Sequence, residues 1–356
     1  MLIESVEVIH YSLPFDRIYS TARGSLTERE LVILRLRAEG LEGLGEVAAM
    51  TLRGAGSASA LAAEMRAVAT DQLVGSSLDE ENPARNLVPL RNIGARAELL
   101  ACVDIAVHDL VSQSKGIPLW RLLTDGPPSP VRCNGTLPMA NPTEIATLAL
   151  EWQEDGFDTL KLKVGTPGDT AQVAAVKSAI DGEMKLRLDA NGSWAPAQAA
   201  DRIADLGGES IELVEEPTSG VVALSNLHEL TDVRIAADET IATSRDAKEA
   251  VRIDACDFAA LKLAKVGGIQ AALDIAGTID SYLTSSLEGP VGITAAAHVV
   301  QALPDLGLAH GLATERLFET NVGTGGTWNG ADLSLPDRPG LGVEIDEEAL
   351  AARRIG

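Results

Sequence analysis

Lys161 and Lys163 stand one residue apart in Thr159-Leu-Lys-Leu-Lys-Val-Gly165, a stretch that alternates as a β-strand does. Side chains at i and i+2 share one face of a strand, so both ammonium groups face one way while Leu160, Leu162 and Val164 pack on the other. Like charges held close depress each other's pKa, and a lysine tuned in that way can act as a general base near neutral pH. Polar residues recur where later strands should end: Asp189 in RLDANGSW, Glu215 in ELVEEP, Asp238 in IAADET and Lys262 in ALKLAKVGG. Starting from Lys163, the steps between them are 26, 26, 23 and 24 residues, about one strand–helix unit each.

Three carboxylates on three successive strand ends offer hard oxygen ligands with room left for water or substrate. That donor set suits Mg²⁺, with Mn²⁺ as a substitute. The chain has five histidines and none accompanies these acids, which disfavours zinc or iron. Glu216 and Glu239 adjoin the ligands but face the other side of their strands, as supporting groups. Asn191, two residues after Asp189, is a hydrogen-bond partner for the site.

These positions require a parallel sheet that presents its C-terminal strand ends together. Strands are expected around 131–136, 159–164, 185–190, 211–216, 233–238 and 258–263, with weaker ones near 281–287 and 306–310. Eight such strands with intervening helices close as a TIM-type (β/α)7β barrel, whose site lies at the strands' C-terminal ends. Asn141-Pro142 is an N-cap and first-turn pair for the helix that stops at Gly156.

An α+β capping domain precedes the barrel over residues 1–125. Residues 3–14, 31–38 and 43–49 read as an antiparallel meander with Glu39-Gly40 at a turn, and helical spacing follows over 57–73 and 95–114. Arg17–Arg29 is polar and longer than a hairpin loop needs to be, which marks it as functional. The barrel occupies 126–324, and the last segment, about 325–356, returns to the first domain.

Composition excludes several roles. A net charge of −23 argues against nucleic acid or anionic membranes as partners. No run of 18 apolar residues predicts a membrane span, and the N-terminus lacks the pattern of a signal peptide. Three cysteines (Cys102, Cys133, Cys256) without metal-type spacing fit a reducing cytoplasm. A homo-oligomer is expected for an enzyme of this size.

The Lys-x-Lys pair, the Asp/Glu/Asp ligands and the final lysine resemble the enolase superfamily, in its muconate-lactonising branch. The segment ELLACVDIAVHDLVSQSKGIPLWRLL is similar to that branch's cap-domain helix, and SSLEGPVGITAAAH to its seventh-strand segment. The resemblance implies Mg²⁺-dependent removal of a proton α to a carboxylate through an enediolate, a pairing of lysine and Mg²⁺ that is general knowledge of the superfamily. It implies Lys163 as base, Lys161 as its electrostatic neighbour, and Lys262 as a second acid/base or a fixed cation on the opposite face.

Within the branch, HGLATERLF, PGLGVEID and STARGSLTERELVILRLRAEGLEGLGE are similar to o-succinylbenzoate synthases of menaquinone biosynthesis. N-succinylamino-acid racemase, dipeptide epimerase and muconate-type cycloisomerase are the alternatives. Dipeptide epimerases carry an Asp-x-Asp pair for the substrate ammonium where Gly311 and Ala313 stand here. The expected partner is therefore a small carboxylate, met by Arg23 or Arg29 at a succinyl group and by Ser285, Ser286, Glu288 and His310 near the barrel mouth.

Overall fold

The computed structural model describes residues 1–49, 54, 56–180 and 182–355. The N-terminal alternation forms β1 (Ser5–Thr21), β2 (Gly24–Ala38) and β3 (Leu41–Ala48), an antiparallel sheet in that order. Glu39 and Gly40, with φ of 52° and 81°, make the tight turn that matches the strands' twist.

The expected loop at Arg17–Arg29 is instead the far end of a long hairpin. After a register shift between Pro14 and Tyr19, pairing resumes as Tyr19↔Leu26, Ser20↔Ser25 and Thr21↔Gly24. Threonine, tyrosine and serine sustain strand pairing here because the hairpin stands away from the cap core, with one face toward the second domain. Phe15 and Tyr19 turn inward and stack at 5.4 Å between centroids.

Helix Ala97–Ser114 is the hinge between the domains, buried along nearly its whole length. It approaches β3 so closely that a Cβ at Gly45 would overlap the Cys102 carbonyl. Asp109 on this helix accepts backbone N–H groups from Leu44 in the cap and Leu341 near the C-terminus, both at 2.8 Å. One turn earlier, Asp104 accepts the Ile269 N–H at 2.6 Å and so caps the helix Ile269–Ala276 of the second domain.

Strand β4 (Val131–Arg132) opens the second domain. A seven-stranded parallel half-barrel follows, built in sequence order from β5 (Gly135–Leu137), β6 (Thr159–Lys163), β7 (Lys185–Asp189), β8 (Ile211–Glu215), β9 (Ile235–Ala237), β10 (Phe258–Leu261) and β11 (Ser281–Leu283). The expected strand near 306–310 does not form, because Gly307 turns the chain with a φ of 64°. That segment meets both sheet edges through single parallel bridges, Thr284↔Gly311 and Cys133↔His310. The Asn141 side chain caps the first half-barrel helix, Pro142–Glu154, by accepting from Thr143 and Glu144.

Four short strands end the chain: β12 (Gly323–Thr324) pairs with β15 (Glu344–Ile345), and β13 (Thr327–Asn329) with β14 (Asp332–Ser334), which also pairs β4. The terminal helix Glu347–Arg353 then lies on β1, where Ile355 donates to the His10 carbonyl at 2.8 Å and Glu347 meets Arg35 at 2.7 Å.

His298 locks the half-barrel's helix Pro290–Val300 to both neighbours. Its Nδ1 accepts the Trp120 N–H at 3.0 Å, and its Nε2 donates to the Leu341 carbonyl at 3.1 Å. Burial pushes its pKa down to about 4. Its neutral form is therefore the folded one, and the stability it contributes above pH ~6.5 is lost as pH falls from ~6.5 toward ~4. Between pH 7 and 4.5 the parent should lose about 2.5 kcal/mol more folding stability than His298→Gln, measured by urea denaturation. Equal losses in the two proteins would contradict this role.

Candidate active site

The catalytic candidates converge because parallel register aligns strand ends. Lys163 pairs with Asp189 across β6 and β7, and Asp189 with Glu215 across β7 and β8. Glu215 pairs with Ala236, so Asp238 lies two residues beyond and on the same side. Lys262 follows β10 directly. All three carboxylates are fully buried, and the lysines nearly so.

Opposite charges interleave in this cluster. Lys161 Nζ donates to both Glu215 oxygens at 2.7 Å and lies 2.9 Å from Asp189 Oδ2. Lys163 Nζ reaches Asp189 Oδ2 at 2.5 Å and Asn191 Oδ1 at 3.1 Å. Lys262 pairs with Asp238 Oδ2, and Lys265 holds Asp238 Oδ1 at 2.8 Å. Burial disfavours charge on Lys161, but Asp189, Glu215 and Asp238 more than offset it and push its pKa up. Burial likewise opposes charge on Asp189, yet Lys161, Lys163 and Lys262 pull its pKa well down. The depression expected at Lys161 from its like-charged neighbour is thus reversed, since the carboxylates are closer and more numerous.

The three acids do not meet as a ready-made ligand cluster among the described residues, because ammonium groups stand between them. The donor set nevertheless fits a hard divalent cation. Lys161 Nζ already marks a point within 3 Å of two carboxylates where positive charge is stabilised. Asp189, Glu215 and Asp238 are the residues that would hold it.

Neighbouring groups fix these carboxylates. Glu216 accepts the Asp238 N–H at 2.7 Å and the Thr240 hydroxyl at 2.5 Å, and burial together with Glu239 pushes its pKa up to about 7. Asn191 Nδ2 donates to Glu239 Oε1 at 3.2 Å. Both Asn191 and Glu216 have positive φ, of 46° and 39°, a backbone strain that gathers at working sites.

The cap hairpin completes the chamber. Arg23, at its tip, donates to the Asn191 carbonyl at 2.7 Å, and Arg29 donates to the Ser286 carbonyl at 2.7 Å. Ser285 shares a 2.5 Å hydrogen bond with Thr314, and Glu288 accepts the Ser286 N–H at 2.6 Å. Arg23, Arg29, Lys161, Lys163, Lys262, Asn191, Ser285 and Ser286 line one cavity. Glu288 supports the loop from behind. His310 lies in the seam beside β11, where its Nδ1 accepts the Leu283 N–H at 3.0 Å; burial and Arg187 push its pKa down to about 4.

Sequence reasoning missed Tyr19, Thr136, Lys265 and Tyr282. Thr136 had a signal in its register with Lys161, and Lys265 in lying one helical turn past Lys262. Tyr19, also at the cavity wall, falls within the stretch read as a loop.

A capping sheet stands over a parallel half-barrel, with lysines and acids gathered at its strand ends. Residues 144–349 match the enolase C-terminal domain-like profile, and residues 5–124 match the mandelate racemase / muconate lactonizing enzyme N-terminal domain. The chain belongs to the enolase superfamily, in its muconate-lactonising branch.

It is similar to the L-Ala-D/L-Glu epimerase of Bacillus subtilis, at 30% identity over 96% of this chain and 97% of that one. It is 38% identical to the o-succinylbenzoate synthase of Mycobacterium ulcerans, over 55% of this chain and 63% of that protein. Among solved structures, the dipeptide epimerase from Enterococcus faecalis complexed with Mg and dipeptide L-Leu-L-Tyr superposes with a TM-score of 0.90 at 32% identity, covering 97% and 100% of the two chains.

Saturating Mg²⁺ should raise the melting temperature of the parent, because a ligand at 100 times its Kd stabilises by about 2.7 kcal/mol. Asp189→Asn, Glu215→Gln and Asp238→Asn should each remove that rise in a thermal melt. A parent that melts at the same temperature with and without Mg²⁺ would contradict the ligand assignment.

Proposed function

We propose that the chain is a Mg²⁺-dependent enzyme that removes a proton α to a carboxylate of a dicarboxylate substrate, with o-succinylbenzoate synthase as its reaction. The observation that carries this reading is the charge of the chamber. Among the described residues, five cationic side chains line it and no carboxylate does. One carboxylate of such a substrate goes to the strand ends, and the distal one goes to Arg23 or Arg29.

The same charge pattern speaks against a dipeptide, whose ammonium would face cations without a counter-ion. Gly311 and Ala313 stand where the resemblance would require aspartates. A Cβ at Gly311 would press into the Thr284 hydroxyl, so this backbone leaves no room for one. An eighth segment closing the half-barrel into a TIM-type barrel through the bridges at Gly311 and His310 is part of this reading.

A divalent cation on Asp189, Glu215 and Asp238 would supply the positive charge these acids now draw from lysines and would stabilise charge developing on the substrate carboxylate. Lys163 and Lys262 face the chamber from opposite sides, with β7, β8 and β9 between their strands. In the dehydration, Lys163 Nζ takes the α proton, the β C–O bond breaks, and the same proton leaves with the hydroxide as water. Lys262 remains a fixed cation and can place its charge against the ring face of the substrate.

Lys262 could equally return a proton to the opposite face, which favours N-succinylamino-acid racemisation as a second reading. Its substrate is also a dicarboxylate.

The test is ultraviolet absorbance with the cyclohexadiene precursor of o-succinylbenzoate and Mg²⁺. Parent enzyme should turn over, and Lys163→Ala should lose roughly 10²–10⁴-fold in kcat. Inert parent enzyme overturns the synthase reading. Solvent deuterium appearing at the α carbon of N-succinyl amino acids, with no dehydration, would instead establish the racemase.

A further inference from the structure

The half-barrel interior holds a tyrosine with no place in the chemistry above. Tyr282 lies on β11, is 1% exposed, and packs among Leu213, Ala236, Ala260 and Leu308. Its hydroxyl donates to Glu215 Oε2 at 2.7 Å. The partner stands on β8, with β9 and β10 between, so the ring reaches across the inner face to a group 67 residues away in sequence. A second residue holds that ring. Arg187, two residues before Asp189, places its guanidinium 5.2 Å from the ring centroid. Arg187 is itself fixed by Glu212 and by the Ala309 carbonyl, the latter at 2.6 Å.

We infer that Tyr282 is a positioning residue for the divalent cation, orienting Glu215 through its Oε2 so that Oε1 is presented to the metal. Glu215 is the middle acid of the three, and among the described residues the other group holding its carboxylate is Lys161, a cation that a metal would replace. The phenol is the neutral donor that can stay when positive charge is exchanged. Groups hydrogen-bonded to metal ligands restrict ligand rotation, and their loss weakens metal binding by roughly 10–100-fold. A buried tyrosine that merely fills space would also satisfy its hydroxyl, but removing that hydroxyl would then leave metal affinity alone.

The inference rests on Glu215 being a metal ligand, and the experiment separates the two. Mg²⁺ dissociation constants are measured by titration calorimetry for the parent, Tyr282→Phe and Glu215→Gln. Tyr282→Phe should raise Kd roughly 10–100-fold and shrink the Mg²⁺-dependent rise in melting temperature. Glu215→Gln should abolish binding. A Tyr282→Phe Kd within twofold of the parent, with Glu215→Gln unable to bind, overturns the role of Tyr282 alone. Parent-like binding by Glu215→Gln overturns the metal site itself.

Should Tyr282→Phe fail to fold, 3-fluorotyrosine in the parent serves the same purpose. The chain has three tyrosines, so Tyr11→Phe and Tyr19→Phe assign the third fluorine signal to Tyr282. Its shift on adding Mg²⁺ supports the inference, and a third signal unmoved at saturation overturns it.

Discussion

The site depends on one constraint: three carboxylates held out of water must be matched by positive charge. An ionised acid in a dry interior is costly unless paired and hydrogen-bonded. Here Lys161, Lys163, Lys262 and Lys265 supply that charge at 2.5–2.9 Å, together with the short Lys262–Asp238 contact. The arrangement would tie the proposed acid/base function to metal binding, because a lysine neutralising a carboxylate is protonated and cannot act as a base. With a divalent cation held by Asp189, Glu215 and Asp238, the lysines would be free for proton transfer.

Everything around the cluster serves to hold it. The parallel ladder sets the relative heights of Lys163, Asp189 and Glu215, and Glu216 pins the backbone that carries Asp238. The cap domain reaches the same place from above through Arg23 and Arg29. Helix Ala97–Ser114 holds cap and half-barrel together by lending Asp104 and Asp109 to backbone donors in both. Among the described residues the chamber is therefore walled by cationic side chains, with the carboxylates at its buried floor.

Much of this was legible in the sequence, for physical reasons. Period-2 alternation fixed the shared face of Lys161 and Lys163, and near-constant spacing of strand–helix units located Asp189, Glu215, Asp238 and Lys262. What stayed hidden depends on contacts between distant segments. Tyr282 in Ser-Tyr-Leu reads as a core aromatic, and only the three-dimensional sheet brings it to Glu215. The hairpin tip was misread because polar strand residues resemble loop when the surface they face belongs to another domain. The segment at 306–310 was misread because its apolar character reports burial in the seam, while Gly307 prevents extended pairing.

The central claim is that Mg²⁺ and protonated lysines compete for the same buried carboxylates. Titration calorimetry with Mg²⁺ at pH 8, repeated in buffers of different ionisation enthalpy, counts the protons released on binding. The account predicts net release, on the order of one proton per cation. Binding with an enthalpy independent of buffer would mean that no lysine gives up a proton, and would contradict it.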